Sequence, residues 1–417
     1  MMNVSEYLMN FEYLDRIDLL HFTPSGKRTI IEYIEIGGQK IPKYVNEFWT
    51  SKQRKANSVH EISYRACFKP QLPHFFINLL TNEEDIIYDP FSGRGTTGIE
   101  TGLLNRNIIL NDVNPLSKII SLPRFFIPKI EEIEKRLRNM PMQEEVKAEI
   151  DLSMFYYEKT EVEIVSIKNY LKMRKDKDEE DDVDKWIRMV ATNRLTGHSP
   201  GFFSAYTLPP NQAISPERQI RINRKLNQKP EYRDTRKLIL KKSKALLRRT
   251  KDTQKENLRK AGKKALFLCK DARETVEIEN KSVQLTVTSP PFLDIVQYSK
   301  DNWLRCWFNS IDDKEIEKKI TMSRTVAEWG KIMGEVFTEL CRITKSGGWV
   351  AFEVGEVRKG TIKLDEYVVP LGLRAGFSCE CIIINLQNFT KTSKIWGINN
   401  MALGTNTNRI VLFRKYG

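Results

Sequence analysis

The chain has 417 residues, 40% of them hydrophobic and 29% charged, and carries a formal net charge of +14. That supports a sizeable core, in two domains or in one with a large insertion, and excludes a wholly disordered chain. Six cysteines without a Cys-x-x-Cys pair and only four histidines point to neither a disulfide framework nor a metal site, and no run of about 18 apolar residues is available to span a membrane.

Glu6, Glu12, Asp15 and Asp18 interrupt the apolar residues of the N-terminal segment, so no secretory signal is expected and the expected location is cytoplasmic. A hairpin is predicted through Thr29–Ile36, Gly37-Gly38 and Gln39–Val45. Tyr64–Leu72 then leads into an apolar, helix-like run from Phe75 to Leu80. Ile86-Ile87-Tyr88 reads as a short buried strand and enters Asp89-Pro90-Phe91-Ser92-Gly93-Arg94-Gly95-Thr96-Thr97-Gly98, with a helix to about Leu104. A second strand, Asn107–Leu110, ends at Asn111-Asp112. Strand, glycine turn, helix, strand and acid make one half of a nucleotide-binding α/β sheet.

From about Phe125 to Ala261 this rhythm stops. Lys129–Met140 and Glu161–Met173 have amphipathic helical patterns, and the acidic run Asp176–Asp184 reads as exposed loop. Gly197–Tyr206 is a glycine- and aromatic-rich loop. Between Arg218 and Lys264 stand nineteen Lys or Arg against four Asp or Glu, a local excess that accounts for the whole net charge and leaves the rest of the chain close to neutral. Such a concentration is the electrostatic footprint of a polyanion partner; the segment is predicted helical from Arg236 to Lys260. The chain therefore divides into an N-terminal extension (1–60), a split α/β domain (61–124 and 263–417) and an insertion (125–262).

The sheet pattern resumes at Ala265–Cys269, ending at Asp271, and again at Ser282–Val287 with strict apolar–polar alternation. That strand breaks on Thr288-Ser289-Pro290-Pro291-Phe292. Two prolines donate no ladder hydrogen bonds and fix φ, so the chain leaves the sheet in a rigid extended turn. The turn presents a hydroxyl (Ser289), a carbonyl (Pro290) and an aromatic face (Phe292), groups suited to gripping a planar base with an exocyclic amino group. Thr207-Leu208-Pro209-Pro210-Asn211 also pairs two prolines but lacks both the polar grip and the ring. A helix over Trp329–Ile343, capped by Gly347-Gly348, a strand over Trp349–Val354, and an antiparallel pair Cys379–Leu386 and Arg409–Phe413 complete the pattern. Lys391–Trp396 and Tyr298–Trp303 are weaker candidates for the rim of a base pocket.

Gly93 and Gly95 permit close backbone approach to a phosphate, a dinucleotide or S-adenosyl-L-methionine. The spacing Gly93-x-Gly95-x-x-Gly98 is that of a Rossmann turn, whereas Ile99 and Glu100 stand where a phosphate loop requires Lys and Ser or Thr. The glycine turn with the Ser-Pro-Pro-Phe turn resembles the amino-methyltransferases of DNA, which methylate adenine N6 or cytosine N4. The likeness covers roughly 60–122 and 263–415. It implies a Rossmann-like, seven-stranded, mostly parallel α/β sheet with a large, mainly helical basic insertion that recognises the DNA target.

The resemblance also implies S-adenosyl-L-methionine as cofactor, at Tyr64, Phe68, Asp89, Pro90, Phe91, Gly93, Gly95, Thr96 and Thr97, with Asp112 on the ribose and Asp271 on the adenine amino group. Catalysis would fall to Ser289, Pro290, Pro291 and Phe292, acting on a flipped base. Double-stranded DNA is the expected partner, with phosphate contacts from Arg236, Lys241, Lys242, Arg248 and Arg249. A restriction endonuclease acting separately is a candidate partner, and the expected location becomes nucleoid-associated in a bacterial-type cell. Because serine precedes the prolines, cytosine N4 is favoured over adenine N6. An RNA base methyltransferase, a catalytically inactive DNA-binding regulator and an NAD-dependent oxidoreductase are the competing readings. The last leaves the Pro-Pro turn and the basic segment unexplained.

Overall fold

The structure, a computed structural model, describes residues 3–12, 28–50, 56–65, 67–209, 212–291, 298–319, 323, 325–357, 361–386 and 407–417. Its centre is one nine-stranded sheet: β1 (Ile30–Ile36), β2 (Gln39–Asn46), β3 (Ile86–Asp89), β4 (Asn107–Asn111), β5 (Leu266–Leu268), β6 (Val283–Thr288), β7 (Thr344–Val354), β8 (Ser378–Leu386) and β9 (Thr407–Arg414). The spatial order is β1-β2-β8-β9-β7-β6-β3-β4-β5. β3 to β9 form the expected seven strands, and among them only β9 runs against its neighbours. The fold is thus α/β and Rossmann-like. The predicted hairpin adds the two remaining strands: Gly37 and Gly38 turn at φ +60° and +77°, and β2 pairs in parallel with β8.

The helices used below are α1 (Gln71–Leu80), α2 (Thr96–Leu103), α3 (Ile130–Asn139), α4 (Glu158–Asp176), α5 (Asp182–Arg194), α6 (Pro216–Leu226), α7 (Thr235–Leu247), α8 (Asp252–Lys264), α9 (Tyr298–Phe308), α10 (Val326–Ile343) and α11 (Leu364–Arg374). Alternation along β7 shows how the sheet is covered. Val350 and Phe352 face α10 and α11 with Trp329, Phe337 and Phe413, while Trp349 and Ala351 face α1 with Phe76 and Ile77. Each large apolar side chain buried in this way contributes about 1.5–3 kcal/mol, so both layers are firmly attached to the strands that carry the site.

Three expectations change. The acidic run is not simply loop: Asp181 caps α5 by accepting the Asp184 N–H at 2.9 Å, and Asp184 is fully buried between Arg136 and Arg174. A buried carboxylate is tolerated because two guanidinium groups share it. The basic segment is not one helix but α7 and α8, with α6 before them. Gly347-Gly348 does not cap α10, which ends at Ile343 and passes directly into β7; Gly347, at φ +78°, lies within that strand beside an irregularity in the β6–β7 register.

α8, at the end of the insertion, packs through Leu258 and Ala261 against Ile99 of α2 and Ile108 of β4. The rest of the insertion folds round Trp186, Phe155 and Ile187. That core also takes in Ile62 and Tyr64 from before β3, and Leu304 and Phe308 from α9.

Candidate active site

β3 ends at Asp89 and α2 begins at Thr96, so six residues must reverse the chain over the carboxyl edge of the sheet. Gly93 and Gly95 make this possible, at φ +51° and +71°. They serve different sides of the turn. A Cβ on Gly93 would lie 3.3 Å from Cys67 Sγ and 3.8 Å from the Tyr64 ring, whereas one on Gly95 would lie 2.6 Å from Ser121 Cβ. Gly93 therefore fronts an open cavity, and Gly95 and Gly98 pack inward, the latter against Leu110.

The turn is held by the neighbouring strand ends. Asp112, just past β4, accepts the Gly93 N–H at 2.8 Å and the Asn114 N–H at 2.9 Å. Asp89 accepts the Phe91 N–H at 3.2 Å and the Thr288 hydroxyl at 2.7 Å, while the Thr97 hydroxyl donates to the Val287 carbonyl at 3.1 Å. These bonds tie the glycine turn to the end of β6, the strand that carries the Pro-Pro turn. Burial pushes the Asp89 carboxyl up to about 7 and the Asp112 carboxyl up to about 6, against the lowering effect of those hydrogen bonds.

One cavity gathers most of the expected residues. Tyr64, Phe68, Asp89, Pro90, Phe91, Gly93, Thr96 and Asp112 line it together with Asp271, Ser289 and Pro291. Gly95 and Thr97 act from behind the wall, in the ways just described. Pro290 is buried at the end of β6, and Phe292 and Lys391–Trp396 lie outside the described residues. Trp303 does not face this cavity: it packs on Phe155 and donates to the Ile214 carbonyl at 3.1 Å, inside the insertion. Asp271 is half exposed and ion-paired to Arg273 at 2.7 Å, which holds its carboxyl below the usual range.

Three participants were not foreseen. Glu353, near the end of β7, is buried between the two neighbouring strands; it accepts the Asn408 amide at 2.6 Å and the Ser289 hydroxyl. Its burial pushes the carboxyl up. A Ser289 hydroxyl hydrogen directed at Glu353 would leave its oxygen lone pairs for a ligand donor. A lone carboxylate inside the apolar run Trp349–Val354 was the available signal. Trp329, on the first turn of α10, lines the cavity and donates its indole N–H to the Pro291 carbonyl at 2.9 Å. Nothing in the sequence distinguishes it from an ordinary core tryptophan.

The third is a clamp on the segment before α1, built by Arg94, Arg124, Lys242 and Arg305. Arg94 donates to the carbonyls of Ile62 (3.1 Å) and Phe68 (3.0 Å), and Arg124 to that of Val59 (3.4 Å). Lys242 of α7 reaches the carbonyl of Glu61 at 2.6 Å, and Arg305 of α9 that of Ser63 at 3.2 Å. Tyr64, between these anchors, is fixed against the glycine turn. Desolvation lowers the Lys242 ammonium to about 8.

Part of the basic segment makes bonds within the protein. Lys242 is committed to Glu61, Arg248 is ion-paired with the Glu61 carboxylate, and Arg236 donates to the Met140 carbonyl at 2.6 Å. Lys241 and Arg249 remain exposed, as does Lys244 beside them.

Residues 18–120 match the family model described as DNA methylase, of the N6/N4 type. The chain is similar to the N6/N4 DNA methylases. That stretch contains the glycine turn, Tyr64 and Asp112. Over 87 residues the chain is 34% identical to the Type II methyltransferase M.MjaII of Methanocaldococcus jannaschii, a match covering 20% of this chain. The chain spans 16% of the length of that curated relative. Among solved structures, a DNA modification methylase from Thermus thermophilus aligns with 23% identity and a TM-score of 0.22, over 35% of this chain and 50% of its own. An S-adenosylmethionine-dependent methyltransferase from Methanosarcina mazei aligns with 10% identity and a TM-score of 0.31, over 82% and 97%.

The donor set fits the cofactor of N6/N4 methylases, S-adenosyl-L-methionine. Asp112 offers carboxylate lone pairs for a ribose diol at the end of β4, and Asp271 offers an acceptor for an adenine amino group beyond β5. Gly93 leaves a cradle that a Cβ would narrow toward Tyr64 and Cys67. The same cavity reaches Ser289 and Pro291, so a methyl donor and an amino acceptor would meet there.

Proposed function

We propose that the protein methylates DNA on an exocyclic amino nitrogen, with cytosine N4 as the target, the base being flipped out of the duplex to reach the cavity. The observation that supports this most directly is that the glycine turn, Asp112 and the Ser289–Pro291 turn border one cavity at the carboxyl ends of adjacent parallel strands. When bound, S-adenosyl-L-methionine supplies a methyl group on a sulfonium centre. The chain's own part is to bind, orient and accept hydrogen bonds, and the amino proton displaced by the methyl group passes to solvent. Ser289, its hydroxyl hydrogen directed to Glu353, offers lone pairs to one amino N–H of the base, and the Pro290 carbonyl offers an acceptor to the other. Hydrogen bonds from both N–H groups draw the lone pair out of conjugation with the ring and favour a pyramidal nitrogen that faces the methyl group. Proximity then supplies much of the acceleration, with no covalent enzyme–base adduct.

Cytosine is favoured because a short serine hydroxyl requires the base to sit close to the turn, which a single pyrimidine ring does more easily. The exposed cations Lys241, Lys244 and Arg249 would contact phosphates, and a separate restriction endonuclease of the same specificity is the fitting partner. The test is incubation with labelled S-adenosyl-L-methionine and duplex DNA or RNA, followed by chromatography of the nucleosides. N4-methylcytosine in DNA is expected; N6-methyladenine alone would overturn the choice of base, and label confined to RNA would overturn the substrate.

A further inference from the structure

The Pro-Pro turn has an anchoring problem that its own backbone cannot solve. Pro290 and Pro291 have no N–H, so neither can donate a main-chain bond that fixes the carbonyls of the turn. Its upstream end is secured by side chains, through the Thr97 hydroxyl on the Val287 carbonyl at 3.1 Å and the Thr288 hydroxyl on Asp89 at 2.7 Å. The downstream end is met by Trp329, whose indole N–H reaches the Pro291 carbonyl at 2.9 Å. Trp329 is itself well placed to hold position. It is 3% exposed, and it follows a capping box in which Thr325 accepts the Glu328 N–H at 3.2 Å. Below it on the same helix Ile332, Met333 and Val336 continue the cavity wall.

We propose that Trp329 is a positioning residue for methyl transfer: its N–H fixes the downstream end of the base-gripping turn while its ring forms part of the wall of the cofactor cavity. This rests on the functional reading above and adds to it a residue that touches the turn rather than the base. A turn pinned at both ends holds the Ser289 hydroxyl and the Pro290 carbonyl at a set distance from the methyl donor. A turn pinned only upstream samples geometries in which the amino group is out of line, and misplacement of a reacting group by about 1 Å is enough to cost roughly a hundredfold in rate.

The test is Trp329→Phe, which retains an aromatic wall and loses the N–H. Calorimetry with S-adenosyl-L-methionine should give a dissociation constant within about threefold of wild type, while kcat for DNA methylation falls about tenfold or more. A residue that merely fills the core would weaken cofactor binding and lower the unfolding midpoint without this split. Should Trp329→Phe fail to fold, 3-benzothienylalanine at position 329 keeps the indole shape and replaces N–H by sulfur, and the same split is expected. Unchanged kcat in either folded variant, or equal losses in kcat and cofactor affinity, would overturn the assignment. Absence of any methylated base with the wild-type protein would overturn the functional reading, and this inference with it.

Discussion

Replacing Gly93 by alanine separates the binding role of the glycine turn from its folding role. At φ +51° an L-residue costs about 1–2 kcal/mol. The added methyl lies 3.3 Å from Cys67 Sγ, so the neighbour must yield by a few tenths of an ångström. The Gly93 N–H that holds Asp112 survives the change. We therefore expect a folded protein whose unfolding midpoint drops by roughly 1–2 °C for a chain of this length, with cofactor affinity reduced at least about tenfold, or ~1.4 kcal/mol. Gly93→Val should abolish binding. Gly95→Ala is the contrasting variant: it adds to the same backbone strain a contact of 2.6 Å with Ser121 Cβ, an overpacking cost of about 1–3 kcal/mol more. It should lose stability first and binding only as a consequence. Thermal unfolding and calorimetry with S-adenosyl-L-methionine measure both. A folded Gly93→Ala with wild-type affinity would remove this turn from the cofactor site, and a Gly95→Ala as stable as Gly93→Ala would refute the inward-facing role of Gly95.

Four further outcomes are expected. Asp89 and Asp112 have folded values of about 7 and 6, above the usual carboxylate value of 3.8, so the stability they contribute is fully present below about pH 4 and lost progressively as pH rises from there to about 6 to 7; Asp112→Asn should flatten part of that loss in denaturant titrations. Cofactor affinity should move the other way, falling as pH drops below about 6 and the Asp112 carboxylate takes up a proton, as calorimetry from pH 5 to 8 will read. Ser289→Ala should lower turnover far more than DNA affinity, and Glu353→Gln should do so to a smaller degree; equal losses in both would reduce Ser289 to a scaffold role. Neutralising Lys241 and Lys244 should weaken binding to all DNA sequences and reduce the salt slope by about 0.9 per lost contact, whereas Arg248→Ala should chiefly disturb the Glu61 segment, seen as a lower unfolding midpoint.

The parts of the site carried by backbone constraint were legible in the sequence. Glycines at a strand end and paired prolines announce φ values that few other residues accept, and both turns stand where expected. Strand positions followed from alternation, as at β6, or from a short apolar run, as at β7. Side-chain ties between distant elements left no such mark. Trp329 has the spacing of a core residue, and Glu353 differs from its neighbours only by being charged. The basic segment hid ties of the same kind: Lys242, Arg248 and Arg236 count as surface charge in a composition, and all three are bonded to protein oxygens. Asp184 misled in turn, since its two arginine partners lie 48 and 10 residues away.

The clamp on residues 59–68 also bears on how such a chain could be recombined. Its anchors come from the glycine turn, from the region just before the insertion, from α7 within it and from α9 after the Pro-Pro turn. Ser58 and Asn57 add bonds to the Leu246 carbonyl and to Gln254. The insertion is therefore not a cassette bounded by its own ends. A graft that exchanged residues 125–262 alone would bring a new α7 against an old Glu61 and leave Tyr64 without one of its supports. The smallest transplantable unit includes residues 57–65 and the facing side of α9, so sequence specificity in this architecture would be inherited together with the lid of the methyl-donor cavity.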